Sequence, residues 1–404
     1  MAAEMSDHTN TDLSFAWISR GRLFVRNGNS PTREIESDFA NQAMQRGIRD
    51  SELNAWKGRS GVWGNLGMQP PGVAPWENGD QRRTIRFVTA CRGKSVDEIL
   101  YVLDMGAVGG LFSYDLQNDT ECRLVHRQGF VLRDVARNPD GKELAVALPR
   151  DDGTIGLSIT RHDGLFGRTV ALSDSLDEAP CWLQDGTRRL VFHSAVIGRN
   201  EHGFAVGKSP YRIEMLDLES EKTSTLHEEE EFDLLQPRMT ADGALLCIRR
   251  PHKIAQRQGS NVDVLTDILF LPFRLVRTFV HFFHFMSMMF SGKPLITAAG
   301  PEQHRPQANP YLMLWGQAID TKRVLQTDRQ GAQKQPLVPK DWVLIHRSPD
   351  GTEKQIAENV LAWDMSSNGQ LVWTDGRHIF TQTTEGTTRT IEDGDIIERV
   401  LVLS

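Results

Sequence analysis

The side chains best suited to chemistry in this sequence are scattered. His281 and His284 stand three apart, a spacing that lets two imidazoles on one helix face share a ligand; as residues of an amphipathic helix they read first as part of its polar face. Gly207-Lys208-Ser209 has the end of a phosphate loop, but position 202 is His where G-x-x-x-x-G-K-S requires Gly. Asp134, Glu178 and Asp364 each stand just before a strand-like segment facing the axis of the expected fold. An acid or base working in a central channel would be placed there, although turn and inter-strand hydrogen bonding is the simpler role. The sequence has no G-x-S-x-G elbow, no H-E-x-x-H and no paired-cysteine motif. Cys91, Cys122, Cys181 and Cys247 are far apart and read as reduced structural thiols of a cytoplasmic protein. No catalytic residue, cofactor or metal is expected from these patterns.

The elements that would hold these residues recur. An apolar segment, an Asp-Gly or Asn-Gly turn and a second apolar segment appear in VARNPDGKELAVAL, PCWLQDGTRRLVF, PRMTADGALLCI and AWDMSSNGQLVW. The turns are Asp140-Gly141, Asp185-Gly186, Asp242-Gly243 and Asn368-Gly369, and they supply the positive-φ positions that tight hairpins need. Two further short segments usually follow each hairpin, as in YRIEMLDLESEKTSTLH. Four short strands per 40–50 residues predict propeller blades. AWISRGRLFVRNGNSPTREIES near the start and LVWTDGRHIFTQTTEGTTRTIED near the end share a Trp, a Gly-Arg, an aromatic, a Gly turn and an Arg-x-Ile-Glu. The first of these lacks one strand, and IIERVLVL at Ile396–Leu403 is a strand without a blade. Pairing the two closes the ring and removes its exposed edges.

The expected fold class is therefore all-β: a six-bladed β-propeller spanning 13–404 after a disordered tail at 1–12. A seventh blade follows if Tyr311–Val324 stands alone. The Pro-Asp-Gly turn followed by a small apolar strand resembles the repeat of TolB-like, WD40-like propellers, the best match being Asn138-Pro139-Asp140-Gly141. The order of the elements also resembles bacterial propellers found beside MoxR-type AAA+ ATPases and von Willebrand A proteins. The second resemblance implies a bacterial protein.

Two insertions interrupt the pattern. Residues 38–80 hold a segment, Phe39 to Lys57, suited to a helix capped by Ser37 or Asp38, and then a Gly- and Pro-rich run. With Trp56, Trp63 and Trp76 this region forms either a binding lip or a plug for the channel. Residues 251–339 hold the most apolar stretch of the sequence, VDVLTDILFLPFRLVRTFVHFFHFMSMMF at 262–290, with 19 apolar residues. At 100° per residue, Asp263, Thr266, Asp267, Arg274, Arg277, Thr278, His281, His284 and Ser291 occupy roughly 140° of arc. The rest is apolar, which predicts a long amphipathic helix. Arg274, Arg277 and the histidines sit mid-segment and disfavour a membrane span. Three placements stay open: in the plane of a lipid surface, on a partner protein, or against the propeller itself. The residues that would make any of these contacts are Leu269, Phe270, Phe273, Val276, Phe279, Val280, Phe282, Phe283, Met286, Met289 and Phe290.

Composition narrows the function. A net charge of −7 with no basic stripe argues against nucleic acid. The polar, acidic start MAAEMSDHTNTDLS does not read as a secretory signal. The expectation is a non-enzymatic, cytoplasmic protein-interaction scaffold, attached through helix 262–290 either to a protein complex or, peripherally, to the inner face of the membrane. The alternative is an enzyme or small-ligand binder using the central channel.

Overall fold

A short turn sets the local geometry wherever the repeat occurs. Gly141, Gly186, Gly243 and Gly369 have φ of +74°, +77°, +85° and +83°, the left-handed region open to glycine. In the turn at 138–141 the amide of Gly141 donates to Asn138 O at 3.0 Å, and Asp140 accepts from the Lys142 amide at 2.9 Å. The same pattern holds at 348–351, where the Gly351 amide donates to Ser348 O at 2.9 Å and Asp350 accepts from the Thr352 amide at 2.9 Å. Each turn reverses the backbone in four residues and pins the register of the strands it joins.

The computed structural model describes residues 13–46, 49, 85–106, 108–163, 167–170, 173–203, 205–252, 334–382 and 386–403, and the backbone of two strands at 311–314 and 317–320. More than half of this is strand, arranged as antiparallel meanders. In the first meander, β1 (Ser14–Ser19), β2 (Arg22–Asn27) and β3 (Arg33–Ile35) are joined by β27 (Ile397–Val402), which pairs with β1 on its inner side. The second comprises β4 (Arg86–Arg92), β5 (Glu98–Asp104), β6 (Val108–Asp115) and β7 (Thr120–Gln128). The third runs β8 (Asp134–Arg137), β9 (Glu143–Pro149), β10 (Ile155–Arg161) and the short β11 (Arg168–Thr169). The next is β12 (Ser175–Trp182), β13 (Arg189–Arg199), β15 (Arg212–Asp217) and β16 (Lys222–His227), with β14 (Ala205–Lys208) paired to the extended end of β13. One parallel pair, Ile155–Leu176, links these last two meanders. Then come β17 (Phe232–Met239), β18 (Leu245–Pro251), β21 (Val343–Arg347) and β22 (Glu353–Ala357), followed by β23 (Ala362–Met365), β24 (Leu371–Thr374), β25 (His378–Gln382) and β26 (Thr388–Asp393). Strands β19 (Tyr311–Leu314) and β20 (Gln317–Asp320) pair only with each other among the described residues.

Burial falls across each meander, from inner strands to the outermost. The second strands β5 (EILYVLD), β9 (ELAVALP) and β13 (RLVFHSAVIGR) carry continuous apolar runs because both of their faces are covered. The outermost β7, β16 and β26 are mostly exposed and polar. The covering is reciprocal between neighbours. Leu100, Val102 and Leu111 pack on Leu144 and Val146; Ala145, Ala147 and Leu157 pack on Trp182, Leu190 and Phe192. Ile213 meets Leu234 and Leu245; Leu235 and Ile248 meet Trp363 and Trp373. Val372 and Ile379 meet Phe15, Trp17, Ile397 and Val400 of the first meander, so the packing returns to where it began. Tryptophan indoles add directional ties between consecutive inner strands: Trp182 Nε1 donates to Ala136 O and Trp363 Nε1 to Gln236 O, both at 3.1 Å.

Among the described residues one α-helix occurs, α1 at 38–46. Its start is fixed by Glu121 of β7, whose carboxylate accepts from the Phe39 amide at 2.8 Å and from Ser37 Oγ at 2.5 Å, an anion seated at a helix N-terminus. The remainder of the segment expected to be helical, as far as Lys57, lies outside the described residues, and so does the long amphipathic helix expected at 262–290.

Candidate functional site

The inner strands β27, β4, β8, β12, β17 and β23 surround an axial cavity of about 540 Å³. Turn residues, among them Asn138, Thr240, Ala241 and Asn368, ring its mouth. Counted back from the turn glycine, the fifth residue of each repeat lines it: Ala136, Cys181, Arg238 and Asp364. The seventh does too, since alternate residues of a strand share a face: Asp134, Ala179, Gln236 and Ala362. Arg92 from β4, Arg137 from β8 and Arg399 from β27 complete the charged lining.

Two carboxylates organise these charges. Asp364, 3% exposed, accepts from Arg238 Nε at 3.3 Å, from Arg92 Nη2 at 3.4 Å and from the Val402 amide at 2.9 Å. Burial pushes its pKa upward, but the two guanidiniums and the amide outweigh that and hold it below the usual carboxylate range. Arg92 also donates from Nε to Val402 O at 2.7 Å and from Nη2 to Met365 O. Asp134, 7% exposed, accepts from Thr89 Oγ1 at 2.8 Å, from its neighbour amide Val135 at 3.0 Å and from Arg399 Nη1 at 3.0 Å. Burial raises the pKa of the Cys181 thiol in the same wall, so it is neutral.

The wall is strained at two equivalent points. Ala179 and Gln236 have φ of +50° and +51°, each stands before a proline, and each lies within a register shift of its hairpin. A left-handed non-glycine residue costs of order 1–3 kcal/mol, so the surroundings must hold it in place. For Gln236 they do: its amide donates to His193 Nδ1 at 3.1 Å, and its side-chain Oε1 accepts from the Trp363 amide at 3.3 Å. His193 is fully buried, which keeps it below the usual imidazole range. As an acceptor at Nδ1 the neutral ring carries its proton on Nε2, 3.9 Å from Glu178.

The three carboxylates singled out from the sequence thus separate. Asp134 and Asp364 reach the axis, within the inner strands rather than before them. Glu178 joins a different cluster, where it accepts from Tyr211 Oη at 3.2 Å. Gly207-Lys208-Ser209 is a strand end and no phosphate loop: Lys208 Nζ lies 3.9 Å from the Tyr211 ring centroid, and Ser209 Oγ accepts from the Val196 amide at 2.9 Å. His281, His284, the apolar residues from Leu269 to Phe290, and Trp56, Trp63 and Trp76 lie outside the described residues. Arg92, Arg238 and Arg399 escaped the sequence reading. Superposing the repeats on their turn glycines would have exposed Arg238, because it occupies the position of Asp364.

No family model and no curated protein matches the sequence. Solved structures do. TolB from Acinetobacter baumannii superposes with a TM-score of 0.51 at 11% identity, covering 97% of this chain and 66% of that one. The fold is that of a TolB-like β-propeller. A nidogen/laminin complex structure superposes with a TM-score of 0.50 at 6% identity over 97% of this chain and 98% of that one. The tricorn protease gives a TM-score of 0.46 at 12% identity, with 97% of this chain spanning 34% of that one. The likeness to propellers beside MoxR-type ATPases and von Willebrand A proteins finds no support among these comparisons. No helix among the described residues is long and apolar enough to cross a membrane.

Proposed function

We propose that this propeller has six blades and is a non-enzymatic scaffold that binds protein partners, attached to a complex or to the membrane surface through 262–290. One observation carries the non-enzymatic reading: the axial carboxylates are engaged by neighbouring strands. Asp364 ties β23 to β4, β17 and β27, and Asp134 ties β8 to β4 and β27. Groups held this way orient a wall, whereas a general acid–base pair needs one carboxylate free to exchange protons with substrate. The sequence supports the attachment through the wide Phe/Leu/Met face of 262–290 opposite its Arg/His arc. The thiols, all unpaired and two of them buried, favour a reducing, cytoplasmic setting. In the nidogen/laminin structure a protein of this fold is seen in a complex.

The test is deletion of 261–290 from the full-length protein. The shortened protein should keep the wild-type far-ultraviolet spectrum and urea midpoint, and lose flotation with anionic liposomes or co-sedimentation with a cell complex. A folded deletion variant that floats and sediments like wild type sinks the attachment. A second reading, small-ligand binding in the channel, draws on the cavity's size, which lies in the range of small-molecule sites.

A further inference from the structure

The charges on the cavity wall do not balance. Arg92, Arg137, Arg238 and Arg399 line it with Asp134 and Asp364, and because Arg137 is paired with Glu98 outside the lining, three guanidiniums stand against two carboxylates. Arg399 spends Nη1 on Asp134 and Nη2 on Arg133 O. Arg238 uses Nε for Asp364 and Nη1 for Pro237 O at 3.1 Å, which leaves Nη2 without an oxygen acceptor among the described residues. The neighbouring Cys181 thiol offers it only a weak sulfur acceptor. Arg92 uses Nε and Nη2, which leaves Nη1. Both guanidiniums hang on one buried carboxylate, so Asp364 fixes their orientation while cancelling only one of the two charges. Their side chains keep 28% and 37% of their exposure, enough for a ligand to reach them from the mouth.

We propose that the axial cavity binds a carboxylate, received by the N–H groups of Arg238 and Arg92 that lack an oxygen partner and that Asp364 holds in place. A planar monoanion with two acceptor oxygens matches two adjacent guanidiniums in shape and in the single uncompensated charge. A phosphate dianion would bring a second negative charge beside Asp364 and Asp134, which nothing on the wall offsets. The carboxylate comes either from the C-terminus of a polypeptide, which rests on the partner-binding reading above, or from a small free acid.

Calorimetry on the full-length protein at low salt decides it, with four probes: N-acetyl-trialanine as the free acid, the same peptide amidated, acetate, and inorganic phosphate. Saturable binding of the free acid, with the amide at least tenfold weaker and phosphate weaker than either carboxylate, is expected. A peptide tighter than acetate marks a polypeptide terminus as the source; equal affinities mark a small acid. Arg238→Gln should lose at least tenfold, Arg238→Lys should fall between, and Arg168→Gln, exposed and away from the cavity, should bind like wild type. Should Arg238→Gln fail to fold, the acid-against-amide comparison on wild type still decides. Acid and amide binding alike, phosphate binding tighter, or no saturation overturns the proposal. These outcomes are independent of 262–290: a protein whose cavity ignores carboxylates but which loses its attachment on deletion keeps the scaffold reading and loses this one.

Discussion

Arg399 Nη1 lies 3.0 Å from Asp134 Oδ2, so the strand that completes the first meander is tied to the inner strand of the third, with β4 of the second between them. The tie crosses a blade instead of following hydrogen-bonded neighbours. Asp134 is buried while Arg399 is 23% exposed at its side chain, so solvent screens part of the attraction.

Removing one partner of this pair tests how much the crossing tie contributes. Arg399→Met leaves Asp134 with Thr89 and the Val135 amide, and should cost about 1–3 kcal/mol through the under-compensated carboxylate. Asp134→Asn keeps an acceptor for Thr89 and should cost less. Urea midpoints of the two variants rank them, and the opposite order would refute the assignment.

Two glycines with similar backbone angles should respond differently to alanine. Gly186, φ +77°, has open space where a Cβ would go, so Gly186→Ala meets only backbone strain of about 1–2 kcal/mol. Gly376, φ +91°, would place its Cβ 2.5 Å from Leu337 Cδ1 and 2.8 Å from Leu337 Cβ. Gly376→Ala therefore adds a clash in a buried cluster and should lower the urea midpoint clearly more.

Asp177 is 2% exposed, and burial lifts its pKa from 3.8 to about 6, although Ser194 Oγ donates to it at 2.7 Å. A carboxyl whose folded pKa exceeds its unfolded one binds its proton more tightly when folded. Its effect is neutral below the unfolded value, and it destabilises progressively as pH rises from about 4 to about 6. Two units correspond to at most about 3 kcal/mol. Asp364, depressed in the fold, has the opposite sign and loses its contribution as pH falls through the carboxylate range. Asp177→Asn should match wild type near pH 4 and exceed it by up to that amount at pH 6.5. Parallel stability curves would exclude the effect.

Thiol labelling reads burial directly. Cys122 is exposed, Cys91 and Cys247 are buried, and Cys181 is intermediate. Burial pushes the Cys91 thiol up to about 12 and raises those of Cys181 and Cys247. Iodoacetamide at pH 8 should modify Cys122 quickly, Cys181 slowly and the other two only in denaturant, as mass spectrometry of timed digests will report.

The turn pattern and the apolar strands were legible in the sequence because they answer strict local requirements. A hairpin that needs positive φ leaves Gly141, Gly186, Gly243 and Gly369 in view, and a strand covered on both faces reads as the unbroken apolar run LAVAL of β9 or ILYVL of β5. The resemblance to TolB-like propellers followed from the same features. The axial charges were hidden for the converse reason. Asp364 and Arg238 occupy one repeat position but carry opposite charge, and Asp364 takes its meaning from Arg92, far away in the sequence, and from Val402 on the closing strand. Ala179 and Gln236 are not turn-forming residues, and no local preference announces their left-handed backbone. The sequence carries only the proline that follows each of them.

The pairing of β27 with β1 joins residues near position 400 to residues near position 16. Ribosomes emit roughly 5–20 residues per second, so β1 emerges on the order of 20–80 seconds before its inner partner exists. Through that interval the nascent polypeptide presents Phe15 and Trp17 with an unpaired edge, inviting wrong strands and chaperones alike. Circular permutation that moves 396–403 ahead of residue 13 would let the first sheet form as it is translated, and should shorten the exposure without altering the finished protein.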